Sequence, residues 1–354
     1  MTIVVAGIAG GLLRLGVELP MAAGAGWPLH AVQAHAALMI GGFLGTVISI
    51  ERAVALKHRA AFIAPATSAL GGLMLVMGQS GAGAWLLIGA SLAFVAVNLE
   101  IVRRQSQPHT WLLLASAAAW LIGNVMFASG SGSGPVMAWW FAFLIWTIAA
   151  ERLEMTRLMR RRPAAGWMLL GILTLMVAGA AASSVRDDVG GFLYGCALVL
   201  LGVWLGVYDI ARRTVAAHGL TRYMAVCLLG GYAWLVIAGA AWIATGAGFA
   251  ARDVAIHALG LGFVVSMIMG HAPVILPAVA RVKLRFGLYF YLPLALLHLS
   301  LALRLGPGLA DRVPRAEGAI LNAIAIAFFA ATVAGAALAW RHTHRTPIAR
   351  RKFL

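Results

Sequence analysis

Long apolar stretches, separated by short polar segments, make up almost the whole chain. Twelve of them are long enough, at roughly 20 residues, and apolar enough to cross the hydrocarbon core of a bilayer as helices. We predict these spans at residues 2–23, 33–52, 61–78, 83–102, 110–129, 135–156, 164–183, 189–210, 223–245, 254–278, 286–305 and 317–340. Because only short loops remain, the pattern predicts one all-α transmembrane domain over residues 1–354.

The composition agrees with this pattern and excludes other classes of protein. Of the 354 residues, 62% are hydrophobic and only 11% are charged, whereas a soluble domain has about 25% charged residues. A soluble enzyme, a nucleic-acid-binding protein and a disordered protein are therefore excluded. The two cysteines, Cys196 and Cys227, lie inside predicted spans and indicate neither a disulfide framework nor a cysteine metal site. No small-residue cleavage site follows the first apolar stretch, so we interpret it as a span rather than a removable signal.

The placement of charge predicts how the spans are oriented. The chain has 27 Lys and Arg residues against 11 Asp and Glu, which gives a net charge of +16. Of these 27, 21 lie on one predicted side of the membrane, five lie on the other, and Arg14 lies within the first span. Basic loops remain in the cytoplasm, so both termini are expected there.

Several histidines are expected at one membrane level. His30, His35, His257 and His298 all fall in the outer half of the predicted spans or in an outer loop. His271 follows His257 by 14 residues, which in an α-helix is a rise of about 21 Å and a rotation to within about 40° of the same face. Neutral imidazoles bind haem iron and copper, but histidines at this level also form hydrogen bonds between helices or reach the interface. Both interpretations stay open.

Two Glu-Arg pairs recur at the opposite level. Glu51 and Glu151 end spans 2 and 6, and each is followed directly by an arginine, in ISIERAVAL and AAERLEMTR. Carboxylates inside a membrane protein indicate a proton or ion site. A structural network of ion pairs among the helix ends is the other reading.

The segments that begin at His35 and His257 are similar to each other. With a two-residue gap, HAALMIGGFL and HALGLGFVV share His-Ala, then Leu, then Gly-Phe. The similarity indicates either a common role for the two helices or a half repeat of residues 1–188 and 189–340.

At these residues the chain resembles the NnrS family of bacterial membrane proteins, which have twelve spans. The early motif of that family appears as LHAVQAHAALMIGGFLGTVIS, with His30 and His35 at its polar positions. The late motif appears as IHALGLGFVVSMIMGHAPVILP, with His257 at its start. In this chain four residues separate His30 from His35, whereas the family has a tighter His-x-His.

The resemblance implies a fold and a cofactor. NnrS proteins are described as containing haem and copper, and they are distantly similar to subunit I of the haem–copper oxidases. The resemblance therefore implies a bundle of that kind in the bacterial inner membrane, with b-type haem held by His35 and His257. It leaves His30, His271 and His298 as candidate ligands for copper or for a further metal.

The function expected from this resemblance is a role in nitric oxide metabolism or in the response to nitrosative stress. The partners are then the lipid bilayer and a small gaseous or redox ligand such as nitric oxide. No complete catalytic motif indicates an enzyme; an enzymatic role would be a haem-dependent redox activity. One alternative is a proton-coupled transporter of a small solute, which would use Glu51 and Glu151. Another is an assembly factor for a respiratory complex, in which the histidines only form hydrogen bonds.

Overall fold

The chain forms a bundle of helices that follow one another with short connections. The computed structural model describes residues 2–20, 26–155 and 163–343, and within these ranges every regular element is helical. The main helices are α1 (Thr2–Arg14), α2 (Trp27–Leu56), α3 (Arg59–Val76), α4 (Ser80–Arg104), α5 (Pro108–Ala128), α6 (Ser133–Met155), α7 (Pro163–Ala182), α8 (Asp187–Tyr208), α9 (Gly219–Gly246), α10 (Arg252–Ala280), α11 (Leu288–Leu309) and α12 (Arg312–Thr343). A single helical turn, Ala211–Thr214, lies between α8 and α9.

Eleven of these helices, α2 to α12, are long and apolar enough to cross a membrane. They coincide with eleven of the twelve predicted spans. The prediction for residues 2–23 was wrong in length, because α1 has 13 residues and reaches only about 20 Å along its axis. That is less than the roughly 30 Å of a hydrocarbon core. The helix stops before Gly16, whose φ of +80° belongs to the left-handed conformation that commonly ends helices.

Glycines allow neighbouring helices to approach until their backbones touch. A Cβ atom on Gly10 of α1 would lie 2.2 Å from the carbonyl oxygen of Ala31 in α2. A Cβ on Gly42 of α2 would lie 3.1 Å from the Cα of Gly72 in α3. In lipid such close contacts drive helix association, because apolar side chains gain little by leaving the membrane for the protein.

Helix α6 lies at the centre of the bundle. In its most apolar stretch 83% of the residues are buried inside the protein, against 28–56% in the other long helices. It packs against α5, α7, α8 and α10. The last turns of this central helix carry Glu151 and Arg152, which brings both charged side chains into the interior.

Two helices change their winding part of the way along. Residues Ala37–Leu44 of α2 and Ala258–Val265 of α10 form π-helical turns, in which each hydrogen bond spans five residues instead of four. The first segment begins two residues after His35, and the second begins directly after His257. A π-helical turn contains more residues than an α-helical turn. The rotation between His257 and His271 therefore differs from that of a regular α-helix, on which the prediction of a common face was based.

Candidate functional site

Helix α1 supports the imidazole of His35. Nδ1 of His35 donates a hydrogen bond to the carbonyl oxygen of Gly7 over 2.6 Å. The ring packs on the α1 backbone at Gly11, where a Cβ atom would lie 2.8 Å from Cε1. Because a carbonyl oxygen only accepts hydrogen bonds, the proton of the neutral ring is on Nδ1, and Nε2 keeps its lone pair. Nε2 is therefore the atom of His35 that is suited to a ligand.

His257 lies between an aspartate and an arginine. Its Nδ1 donates to the carbonyl oxygen of Asp253, 2.9 Å away, and lies 3.0 Å from the carboxylate Oδ1 of the same residue. Nη2 of Arg304, from α11, lies 3.0 Å from Nε2 and 3.2 Å from Nδ1 of His257, against the face of the ring, and it donates to Oδ1 of Asp253 over 3.0 Å. The neutral ring thus has the same tautomer as His35, and the in-plane lone pair of its Nε2 is not used by the arginine.

These residues form one cluster at the start of α10. Electrostatically, His257, Arg14 and Arg304 all act on the His35 imidazole. The structure therefore places His35 and His257, the two residues predicted to hold haem, within electrostatic range of each other. We call the group of His35, Asp253, His257 and Arg304 the histidine cluster.

His298 has the opposite tautomer. Nε1 of Trp234 donates to Nδ1 of His298 over 2.7 Å, and the two rings are nearly parallel, at an angle of 4°. An indole N–H can only donate, so Nδ1 is the acceptor and the proton of the neutral ring is on Nε2. Neither nitrogen then has a free lone pair for a metal ion, so the structure does not support His298 as a ligand.

The residues predicted to bind copper do not come together. His30 and His35 are five residues apart within a regular stretch of α2, which separates their directions by about 140°. The ring of His30 lies against Gly78 instead, and His271 lies at the other end of α10. In the part of the chain that the structure describes, no group of three or more His, Cys, Asp or Glu residues is placed to hold a metal ion. The residues present do not fit a copper site.

A second polar site surrounds Arg52 at the end of α2. Nη2 of Arg52 donates to Oε1 of Glu51 over 2.8 Å and to Oε1 of Glu151, on α6, over 3.0 Å. The guanidinium group is buried, and both carboxylates are largely covered. One arginine nitrogen therefore serves two carboxylates that are 100 residues apart in the chain.

An almost completely buried ion pair adjoins this site. Arg152 donates through Nε and Nη2 to the two carboxylate oxygens of Asp209, over 2.9 and 3.0 Å. The side chains are only 4% and 2% exposed. Nη1 of Arg152 also lies 3.4 Å from Nε2 of His271, whose Nδ1 donates to the carbonyl oxygen of Met267. Removing either partner of this pair would leave a charge without compensation in the interior.

The two ion-pair sites form one group because Glu151 and Arg152 are consecutive in α6. We call it the carboxylate cluster; its members are Glu51, Arg52, Glu151, Arg152, Asp209 and His271. It joins the ends of α2, α6, α8 and α10, and it lies at the end of the bundle whose connections carry basic residues such as Lys57, Arg212 and Arg213.

Sequence reasoning missed the partners of the histidines. Neither Asp253 nor Arg304 was among the predicted site residues. Two signals could have identified them: Asp253 precedes His257 by four residues, one helical turn, and Arg304 lies in an otherwise apolar helix. The backbone acceptor at Gly7 and the indole donor of Trp234 had no signal in the sequence, since both depend on contacts between separate helices.

Comparison with known proteins gives a family but no function. The model of the DUF8744 family, described as a domain of unknown function, matches residues 1–338. The chain therefore belongs to this family. No curated protein and no solved structure matches the chain.

Proposed function

We propose that this DUF8744 protein is an integral protein of the bacterial inner membrane that binds b-type haem between His35 and His257. The observation that carries the proposal is the state of these two imidazoles. They belong to different membrane-crossing helices, they lie in one cluster, and each uses its Nδ1 proton for a carbonyl oxygen. This arrangement fixes the ring and directs Nε2 toward a ligand, as in histidines that bind metal.

The donor set fits haem better than a bare metal ion. Haem iron needs only two axial ligands from the protein, and the cluster offers two imidazoles on separate helices. The carboxylate groups of haem also need cationic partners. Arg304 and Arg14, which both act electrostatically on His35, could provide them. When bound, haem would supply an iron centre for electron transfer, and nitric oxide could bind to it only in place of one of the two imidazoles.

Arg304 leaves the iron-binding nitrogen of His257 available. Its Nη2 lies against the face of the ring, 3.0 Å from Nε2 and 3.2 Å from Nδ1, so it does not use the lone pair that iron would use. The same nitrogen donates to Asp253, which holds the guanidinium group in place. In this proposal His35 and His257 hold the iron, while Asp253 keeps Arg304 near the carboxylates of the haem.

The proposed orientation rests on the distribution of charge. The carboxylate cluster lies at the end with the basic connections, and such connections stay in the cytoplasm. In this proposal both termini therefore lie in the cytoplasm and the histidine cluster lies in the outer half of the membrane. The resemblance to NnrS proteins and to subunit I of the haem–copper oxidases remains part of this proposal, without copper.

Absorption spectra of the purified protein, oxidised and reduced, test the haem proposal. Wild-type protein expressed with ample haem should show a Soret band, which His35→Ala and His257→Ala should remove or strongly reduce. His298→Ala is the matched control and should keep the band, because the Nδ1 of His298 is already an acceptor. Colourless and metal-free wild-type protein would exclude the proposal. Loss of the band only in His298→Ala would exclude the assigned ligands.

Proton-coupled transport of a small solute is the second candidate, and the carboxylate cluster favours it. Buried carboxylates at one end of a bundle are typical of proton-coupled transporters. Pro273 and Pro277 also interrupt the hydrogen bonding of α10 close to His271. A colourless protein whose proteoliposomes accumulate a solute along a proton gradient, and lose this activity in Glu51→Gln, would favour transport over haem binding.

A further inference from the structure

In the part of the chain that the structure describes, the carboxylates around Arg52 outnumber the positive charges that face them. Oε1 of Glu51 and Oε1 of Glu151 both lie on Nη2 of Arg52, so the two oxygens are within about 6 Å of each other, a range in which like charges interact strongly. The two carboxylates come from different helices, α2 and α6. Each would be a normal ion-pair partner for an arginine if it were alone.

A count of the charges on the described neighbours leaves one carboxylate without a cation of its own. The charged and titratable groups among them that face the two glutamates are Arg52, Arg152, Glu154 and His271, and Asp209 lies beside Arg152 and His271. Arg152 and Asp209 neutralise each other in the bidentate pair. His271 donates its Nδ1 proton to a carbonyl oxygen and lies next to Arg152, which favours the neutral ring. Glu154 is exposed and adds further negative charge. Of the cations in the described ranges, only Arg52 is left for Glu51 and Glu151.

Independent evidence for a polar ligand comes from buried atoms on the same side of α2. Among the described residues, Oγ of Ser49 and Nε of Arg52 are buried without a hydrogen-bond partner. Ser49 is 1% exposed, and it precedes Arg52 by three residues, so both side chains lie on one face of the helix. Buried polar atoms of this kind normally bind water. A water molecule on Nε of Arg52 would lie next to the glutamate pair, because the same guanidinium group contacts both carboxylates.

We infer that Glu51 and Glu151 form a proton-binding site in which the two carboxylates share one exchangeable proton. A hydronium ion gives its proton to a carboxylate oxygen, an O–H bond forms, water remains, and no electron is transferred. With the proton bound, one carboxylate and one guanidinium group remain, and the charges balance. The inference does not depend on haem: a redox reaction or a transport step that consumes or releases protons could use this site.

Infrared spectroscopy of the purified full-length protein, titrated in H₂O and in D₂O, tests the inference. The wild type should show the C=O band of a protonated carboxyl group that persists well above the pH at which exposed glutamates ionise, about 4.3. The band should shift to lower frequency in D₂O. It should disappear in Glu51→Gln and equally in Glu151→Gln, because either change leaves a single carboxylate for Arg52.

Two further variants make the result specific. Glu100→Gln is the matched control: Glu100 forms an exposed pair with Arg104, so the band should not change. Glu51→Asp keeps the carboxyl group and should shift the band without removing it, which preserves the test if the glutamine variants do not fold. Absence of the band in the wild type would overturn the inference. Loss of the band in only one of the two glutamine variants would overturn the sharing of the proton. Neither outcome would affect the haem proposal.

Discussion

At the histidine cluster, Arg304 lies against a neutral imidazole and one carboxylate, whereas at the carboxylate cluster Arg52 lies between two carboxylates. In the first region, two arginines and one aspartate act on the two imidazoles. In the second region, carboxylates outnumber arginines among the described residues. Both regions join α2 to α10. Among the described residues the first has surplus positive charge once Arg14 is counted with the histidine cluster, whereas the second has surplus negative charge.

Because of this difference, the histidine cluster and the carboxylate cluster are suited to different ligands. Surplus positive charge beside neutral imidazoles favours a ligand that carries both anionic groups and a metal ion. The arginines can pair with the anionic groups, and the ring nitrogens can bind the metal ion. Surplus negative charge that is mostly buried favours a proton, since a buried charge without compensation costs several kcal/mol. The same two helices, α2 and α10, therefore take part in two sites that suit different ligands.

The largest effect is expected when the balanced pair of the carboxylate cluster is broken. Arg152→Ala leaves Asp209 charged and buried, so the free energy of unfolding should fall by about 3–5 kcal/mol. Thermal or denaturant unfolding in detergent measures this. Arg186→Ala is the control, because Arg186 forms an exposed pair with Asp188, and it should leave stability unchanged. Equal stability of the two variants would show that the buried pair does not hold this end together.

A smaller effect is expected from the helix that supports His35. In Gly10→Ala the new methyl group would press on the backbone of Ala31, and overpacking of this kind costs about 1–3 kcal/mol. The displaced α1 should also weaken the hold on His35, so the haem content per protein should fall. Gly26→Ala has open space around the new methyl group and should match the wild type in both measurements. An unchanged haem content in Gly10→Ala would show that haem binding does not depend on the position of α1.

The smallest effect distinguishes His298 from the histidine cluster. Trp234→Phe keeps an aromatic ring and removes the N–H that donates to His298, which should cost about 1 kcal/mol of stability. The Soret band should not change, because His298 is outside the proposed haem site. A shifted or lost band would mean that His298 contributes to haem binding and belongs to the haem site together with the histidine cluster.

Much of the fold could be predicted from local composition. The positions of α2 to α12 follow from the runs of apolar residues, since each helix must satisfy its own backbone in lipid. The predicted length of the first span was wrong for a local reason too. The helix α1 ends after 13 residues, just before Gly16, but the apolar run in the sequence continues past that point. The π-helical turns after His35 and His257 could not be predicted, because they interrupt sequences that are otherwise suited to a regular helix.

The sequence by itself determined how the helices follow one another and which polar residues belong to which end, because hydropathy and chain direction act along the chain. Only the tertiary structure decided the lateral partners: Gly7 for His35, Arg304 for His257, Trp234 for His298, and Arg52 for both Glu51 and Glu151. Apart from the contact between the neighbours Glu51 and Arg52, these contacts join different helices. They depend on how closely glycines let the backbones approach and on how each helix is rotated. The tautomer of each histidine and the balance of charge in each cluster follow from those contacts.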